Sequence, residues 1–260
     1  MNKLFKLSGV SAVAVSAAFY ASSVTKAPAA DITQSSDLDG FSKIRLSTSS
    51  DMHITIGNGF SIEMVGDDEL IGNTILEVKG DTLHVKYKRG RFNYDDDQEM
   101  VINVVMPNIE AMQINGSGDA EITGVDNKEL ELSINGSGDL NVSGKTEKLD
   151  ININGSGDIE MEEVAGNDVK ININGSGDVI FAGGTCQSIE IEINGSGNVD
   201  ARQVECQDAD VDLSGSGDSI VYASNQIVFD SQGSGEVEVY GKPKTVIDKE
   251  ARRRSKINIH

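Results

Sequence analysis

The tetrapeptide Gly-Ser-Gly-Asp, usually preceded by Ile-Asn, returns along this chain of 260 residues at an almost constant interval. Its copies begin at Gly116, Gly136, Gly155, Gly175, Gly195 (with Asn198 in place of Asp), Gly215 and, as Gly-Ser-Gly-Glu, Gly233. The steps between them are 20, 19, 20, 20, 20 and 18 residues. A repeat this short is one supersecondary unit, too small to bury a core alone and stable only when stacked on its neighbours.

Alternation within the repeat says what the unit is. From Ile151 to Met161, odd positions read Ile, Ile, Gly, Gly, Ile, Met and even positions read Asn, Asn, Ser, Asp, Glu. That period of two belongs to a half-buried strand, and it keeps phase across the glycines. The same phase runs through Leu132–Val142, Ile171–Phe181 and Ile227–Val239. The glycines therefore fall on the inward face, where a residue without Cβ lets the backbone bend sharply, and each Gly-Ser-Gly reads as a corner between strands. The expected fold is all-β: a right-handed parallel β-helix, a solenoid of about 20-residue coils stacked about 4.8 Å apart. Ile44–Ile54 matches the repeat position by position, with Thr48 and Ser50 in place of the glycines, and Arg253–Ile257 follows Gly233 by one more step. Such altered end copies suit a solenoid, whose ends need caps.

Residues 1–29 read as a signal peptide. Lys3 and Lys6 precede an apolar stretch from Leu7 to Ala21, and Ala27-Pro28-Ala29 is a small-x-small cleavage site. No later stretch is apolar for the roughly 18 residues a membrane-spanning helix needs. Residues 30–40 read as a flexible leader and 41–260 as one β-solenoid domain. Within it, 41–112 is strand-rich but less regular, with an exposed loop near 86–97, 113–240 carries the regular repeats, and 241–260 is a basic C-terminal cap. No segment shows the period of an amphipathic helix.

With a formal charge of −20, the chain should repel nucleic acid and anionic membrane surfaces. Its two cysteines, Cys186 and Cys206, stand one repeat apart, so stacked coils would bring their Cα atoms within disulfide range. A Cys186–Cys206 disulfide fits an oxidising compartment, the alternative being two buried thiols.

Phe41-Ser42-Lys43-Ile44 before a strand, Met106-Pro107-Asn108, the recurring Gly-Ser-Gly-Asp and Tyr240-Gly241-Lys242-Pro243 together resemble the GIN-domain family of autotransporter adhesin heads. The similarity extends over residues 38–260. It implies a β-helical fold in an exported bacterial protein with an adhesin role.

Stacking in register would align outward residues into rows. Asn115, Asn135, Asn154, Asn174 and Asn194 form one row, whose amides can bond to one another along the stack. Asp119, Asp139, Asp158, Asp178, Asp218 and Glu236 form an acidic row, a candidate cation- or ligand-binding site. Calcium, which takes about six to eight oxygens, is the cofactor such a row would suit; otherwise the acids accept corner hydrogen bonds. Arg252, Arg253, Arg254 and Lys256 form a basic cluster, either an end cap for the acidic row or a docking site. Catalysis fits poorly, because the carboxylates repeat with every coil whereas a catalytic site is a singular departure from a repeat. The three histidines share no motif, and the absence of Trp removes a common sugar-stacking platform. The expected function is a non-enzymatic cell-envelope module, adhesin-like, in the periplasm or at the cell surface. Its partner would be a protein or glycan of the envelope, and a homo-oligomer is compatible with the sequence. The alternative is a periplasmic glycan- or calcium-binding protein.

Overall fold

Strands form where the alternation predicts them. In the computed structural model, which describes residues 31–90, 99–249 and 257–260, the chain begins with β1 (Asp31–Ser36), β2 (Lys43–Ser47), β3 (Asp51–Ile56), β4 (Ser61–Asp67) and a helix, α1 (Asp68–Asn73). Then come β5 (Thr74–Lys79), β6 (Thr82–Tyr87), β7 (Met100–Met106) and β8 (Ala111–Ile114). In the repeats the strands lengthen because they run through bends: β9 (Ala120–Gly136), β10 (Leu140–Gly155), β11 (Ile159–Gly175), β12 (Val179–Phe181) and β13 (Gly184–Gly195). After β14 (Val199–Gly215) and β15 (Ser219–Gly233), the short β16 (Val237–Tyr240), β17 (Thr245–Asp248) and β18 (Ile257–Ile259) end the order. The molecule is an all-β solenoid of about 7 turns with coils of roughly 20 residues.

Register makes the core. Ile151 pairs with Leu132 on one side and Ile171 on the other, and Ile153 sits between Ile134 and Ile173, so like residues form columns inside the coil. One coil buries Ile159, Met161, Val164, Val169, Ile171 and Ile173. Each such side chain contributes about 1.5–3 kcal/mol over its exposed state. Cys186 pairs with Cys206 in register, and the two are joined by a disulfide with Cα atoms 4.4 Å apart. Both cysteines are buried, so this cross-link lies inside the stack.

The paired glycines do mark bends, but the reason for glycine differs from the one the alternation suggests. The first glycine of each copy has φ between 141° (Gly215) and 156° (Gly116), a region closed to other residues without strain. A Cβ at Gly155 would fall 2.0 Å from the Gly136 carbonyl oxygen, and one at Gly157 would fall 2.1 Å from that of Gly138. The missing side chain makes room for the backbone of the adjacent coil. Glycine is demanded by coil-to-coil contact as well as by the corner.

The N-terminal part departs from chain order. Ile44 pairs with Met112 and Met52 with Ala120, so the altered copy at 44–54 is stacked directly on the first regular coil. The chain then leaves the stack and returns on the far side of that copy, where Ile44 also meets Leu83 of β6 and Met52 meets Ile102 of β7. Antiparallel strands cover the outermost coil: β5 on β6, β4 on β7, and β1 on β4. Residues 31–36, expected within a flexible leader, are therefore a strand, because the open edge of β4 offers a ladder to pair with. The helix α1, invisible to a periodicity argument at six residues, is capped by Asp67, which accepts the N–H groups of Glu69 (2.9 Å) and Leu70 (3.3 Å). It buries Leu70 and Ile71 at this end of the molecule. The signal-peptide segment 1–29, most of the 86–97 loop, and the cluster Arg252, Arg253, Arg254 and Lys256 lie outside the described residues. Beyond that cluster Ile257 pairs with Val237, one coil on.

Candidate functional site

Each Gly-Ser-Gly-Asp corner interrupts the strand ladder, and its polar side chains restore the missing bonds. The Ser156 N–H donates to the Gly136 carbonyl at 2.9 Å, which the flanking glycines allow to approach. The next unmatched donor is the N–H of the Asp itself. It finds the carboxylate of the preceding coil: Asp139 N–H to Asp119 Oδ1 (2.8 Å), Asp158 to Asp139 (2.8 Å) and Asp178 to Asp158 (2.7 Å). The file continues through Asn198, whose Oδ1 accepts from Asp218 at 3.0 Å, to Glu236 N–H on Asp218 at 2.8 Å. At the other end Asp119 N–H meets Asp51 Oδ1 at 3.3 Å, which adds a member absent from the sequence-derived row. The structure thus brings the acidic row into one file and gives its carboxylates a coil-to-coil role.

A parallel file of amides runs beside it. Asn135 Nδ2 donates to Asn115 Oδ1 (3.1 Å), Asn154 to Asn135 (3.2 Å) and Asn174 to Asn154 (3.3 Å). Asn194 leaves the file and donates to Glu192 Oε1 instead, at 2.9 Å. Among the described residues no group of three or more His, Cys, Asp or Glu side chains is arranged as a metal site would need. The acids of the row stand one to a coil, with one oxygen already held by the next coil. The histidines are dispersed: His53 Nδ1 is 3.2 Å from Glu121 Oε2 and His260 Nε2 is 3.8 Å from Glu238 Oε2. Burial, then the nearby charges of Arg45 and Lys79, lowers the pKa of His84.

Beside one of the register shifts in the stack the surface opens into a cleft. The segment Asp126–Glu131, with Asn108, Glu110, Lys43, Lys148 and Asp150, surrounds a cleft of about 720 Å³. Asn127 is fixed there by a 2.5 Å bond from Nδ2 to the Ile109 carbonyl, while its buried Oδ1 has no hydrogen-bond partner among the described residues. Lys43 at the rim is 2.9 Å from Asp81, whose hydrogen bond and charge raise the lysine pKa. Sequence reasoning passed over this cleft. Its one trace is the 19-residue step from Gly136 to Gly155, which forces a register shift between Ser143 and Gly144 where β10 meets β9.

The fold is shared with solved structures. A "putative adhesin" from Parabacteroides distasonis is 16% identical, covers 90% of this chain and 98% of its own, and superposes with a TM-score of 0.79. A "putative adhesin" from Parabacteroides merdae is 17% identical over 88% of this chain and 96% of its own, with a TM-score of 0.78. A "putative lipid binding protein" from Parabacteroides distasonis is 21% identical over 88% and 96%, with a TM-score of 0.76. At these identities the likeness is one of fold. No curated protein matches the chain. Residues 40–243 match the family described as "Putative auto-transporter adhesin, head GIN domain", and the chain belongs to that GIN-domain family.

Proposed function

We propose that the protein is an exported, non-enzymatic module of the cell envelope that binds a polar ligand, protein or glycan, through the cleft at Asp126–Glu131. One observation carries this reading. Most of the polar residues that recur from coil to coil are spent on holding coils together, whereas the cleft departs from the repeat and is lined by ammonium, carboxylate and amide groups. Around it Asp126, Lys128, Glu129 and Lys148 offer both donors and acceptors to a ligand's hydroxyl or amide groups. The family to which the chain belongs supports an adhesin-like role.

A glycan array probed with and without Ca²⁺, together with labelling of intact cells by a membrane-impermeant reagent, tests the reading. Phospholipid vesicles belong in the same panel, given the name of one structural neighbour. Binding lost in Asn127→Ala and Lys148→Ala, with the protein labelled on intact cells, is the expected result. Protein retained behind the outer membrane would replace the surface role with the periplasmic one. Cleavage of any polysaccharide would overturn the non-enzymatic reading.

A further inference from the structure

One outer face of the solenoid is unusually long and continuous. Eleven strands lie side by side on it, in the order β5, β6, β2, β8, β9, β10, β11, β13, β14, β15, β17. At about 4.8 Å per step and three outward columns, it measures roughly 48 by 17 Å, about 800 Å². That is the area each partner contributes to a standard protein interface.

Charge is not scattered over this face. Its central column reads Glu77, His84, Arg45, Gln113, Ser133 and Asn152 from the capped end to the middle. From the middle onward it reads Asn172, Glu192, Asp212 and Asp230, with Lys249 just beyond β17. The capped end is basic, with Lys43, Lys79 and Lys86 beside Arg45; the middle of the central column is neutral amide and hydroxyl, with Glu131, Asp150 and Lys170 in the column beside it; the far end is acidic. Some of these charges have partners already: Lys43 is held by Asp81, Lys79 and Lys86 by Glu77, and Lys249 by Asp210 and Asp212. Arg45 is exposed and donates to the neutral Gln113 amide at 2.8 Å.

We propose that this face binds a second copy of the same chain, the two solenoids running antiparallel about a two-fold axis that lies along β10 through Asn152. That operation returns each column onto itself in reverse order. Arg45 then faces Asp212, His84 faces Asp230, Gln113 faces Glu192, Ser133 faces Asn172 and Asn152 faces its own copy. In the column beside it, Lys43 faces Asp210 and Glu131 faces Lys170; Lys43 and Glu131 also edge the cleft, so the dimer and a ligand held there exclude one another. The row of asparagines, Asn115 to Asn194, likewise meets itself, amide against amide. One like-charge contact results, Asp150 near its own copy on the axis, where Asn152 Nδ2 already donates to it at 2.7 Å. A sequence of complementary pairs that survives reversal is the signature of an isologous interface. Near the axis Glu131 and Lys170 pair across the interface on either side of the Asp150 contact, and the paired ends fix the register.

Sedimentation velocity on the purified chain at about 0.15 M salt is the test. There the Debye length of about 8 Å screens repulsion between the two acidic molecules while sparing contact pairs. A concentration-dependent dimer is expected. Arg45→Glu and Asp212→Arg should each raise its dissociation constant about tenfold or more, because each reversal sets like charges at two symmetric contacts. Mixed in equal amounts, the two variants should form a one-to-one dimer, since every end pair is then complementary again. Glu160→Arg, an outward change of the same sign on another face, should leave the dimer unchanged. If Asp212→Arg fails to fold through loss of the Lys249 bonds, Lys170→Glu and Glu131→Lys, which face each other in the next column, replace the two reversals and their mixture. A chain that stays monomeric at its solubility limit overturns the proposal. So does a dimer indifferent to both reversals, or a mixture of the two variants that does not associate.

Discussion

At the scale of single residues, the corner is decided by atoms that are missing as much as by those present. Gly155 has φ 148° and Gly136 O sits 2.0 Å from where its Cβ would be. Backbone cannot step aside from such a contact without separating two coils. Gly155→Ala should therefore cost about 3 kcal/mol or more, read as a lower denaturation midpoint. Gly183→Ala is the matching control, since a Cβ there has no atom within 4 Å, and it should be close to neutral. The acidic file makes a second prediction. Asp158 Oδ1 accepts the Asp178 N–H at 2.7 Å, so Asp158→Ala strands that donor and should destabilise by about 1–2 kcal/mol. Asp158→Asn keeps an acceptor at the same place, as Asn198 does natively for Asp218, and should stay within about 0.5 kcal/mol of the parent. Equal losses in the two variants would mean that charge, rather than the hydrogen bond, is what the position supplies.

Among the elements, those built from the repeat were legible and those built once were not. Alternation through Ile151–Met161 and the glycine pairs located the strands, the columns and the Cys186–Cys206 bond, because a fixed step forces like residues into contact. The match of Ile44–Ile54 to the repeat likewise survives as stacking on Met112–Ile122. What no periodicity can express is that β6 and β7 slip in on the far side of β2 and β3, or that β5, β4 and β1 turn antiparallel to close the end. The cleft at Asp126–Glu131 was missed for a similar reason, since it exists where the repeat fails. In the antiparallel cap, hydrogen bonds from Lys79 and then Lys86 hold the Glu77 carboxyl below its ordinary value. The unfolded chain then binds more protons than the folded one as pH falls below about 4.3, so this contribution is present above that pH and lost on acidification. Glu77→Gln should accordingly lose less stability between neutral and acidic pH than the parent, in denaturant titrations at both. For the disulfide, closure of a 20-residue separation predicts a loss of about 3 kcal/mol in the double variant Cys186→Ala, Cys206→Ala. Both side chains are buried, so the reduced protein should resist alkylation until it unfolds.

Across the whole molecule, stability is close to a sum over coils and the contacts between neighbours, because each regular coil touches little beyond the one on either side. That arithmetic can be tested by taking out one coil. Excising residues 156–175 joins Gly155 to Ser176 and leaves an intact Gly-Ser-Gly-Asp corner. The new neighbours are compatible inside: Ile151 would meet Ile191 and Ile153 would meet Ile193, replacing their contacts with Ile171 and Ile173. The corner is equally served, since Asp178 N–H would come to the Asp139 carboxylate in place of Asp158. Outside, Asp150 would face Glu190, and the bonds of Lys170 to Glu190 (3.1 Å), Gly144 N–H to Glu162 (3.0 Å) and Ser188 to Asp168 (2.7 Å) would be lost. Exposed pairs of this kind are worth about 0–1 kcal/mol. The shortened chain should fold with an unchanged circular dichroism shape and melt cooperatively at a somewhat lower temperature. Excising residues 166–175, half as many, should abolish folding, because every later residue would move half a coil out of step and present its corner to a neighbour's strand. If both deletions folded equally well, or neither did, stacking in register would not be what holds this molecule together.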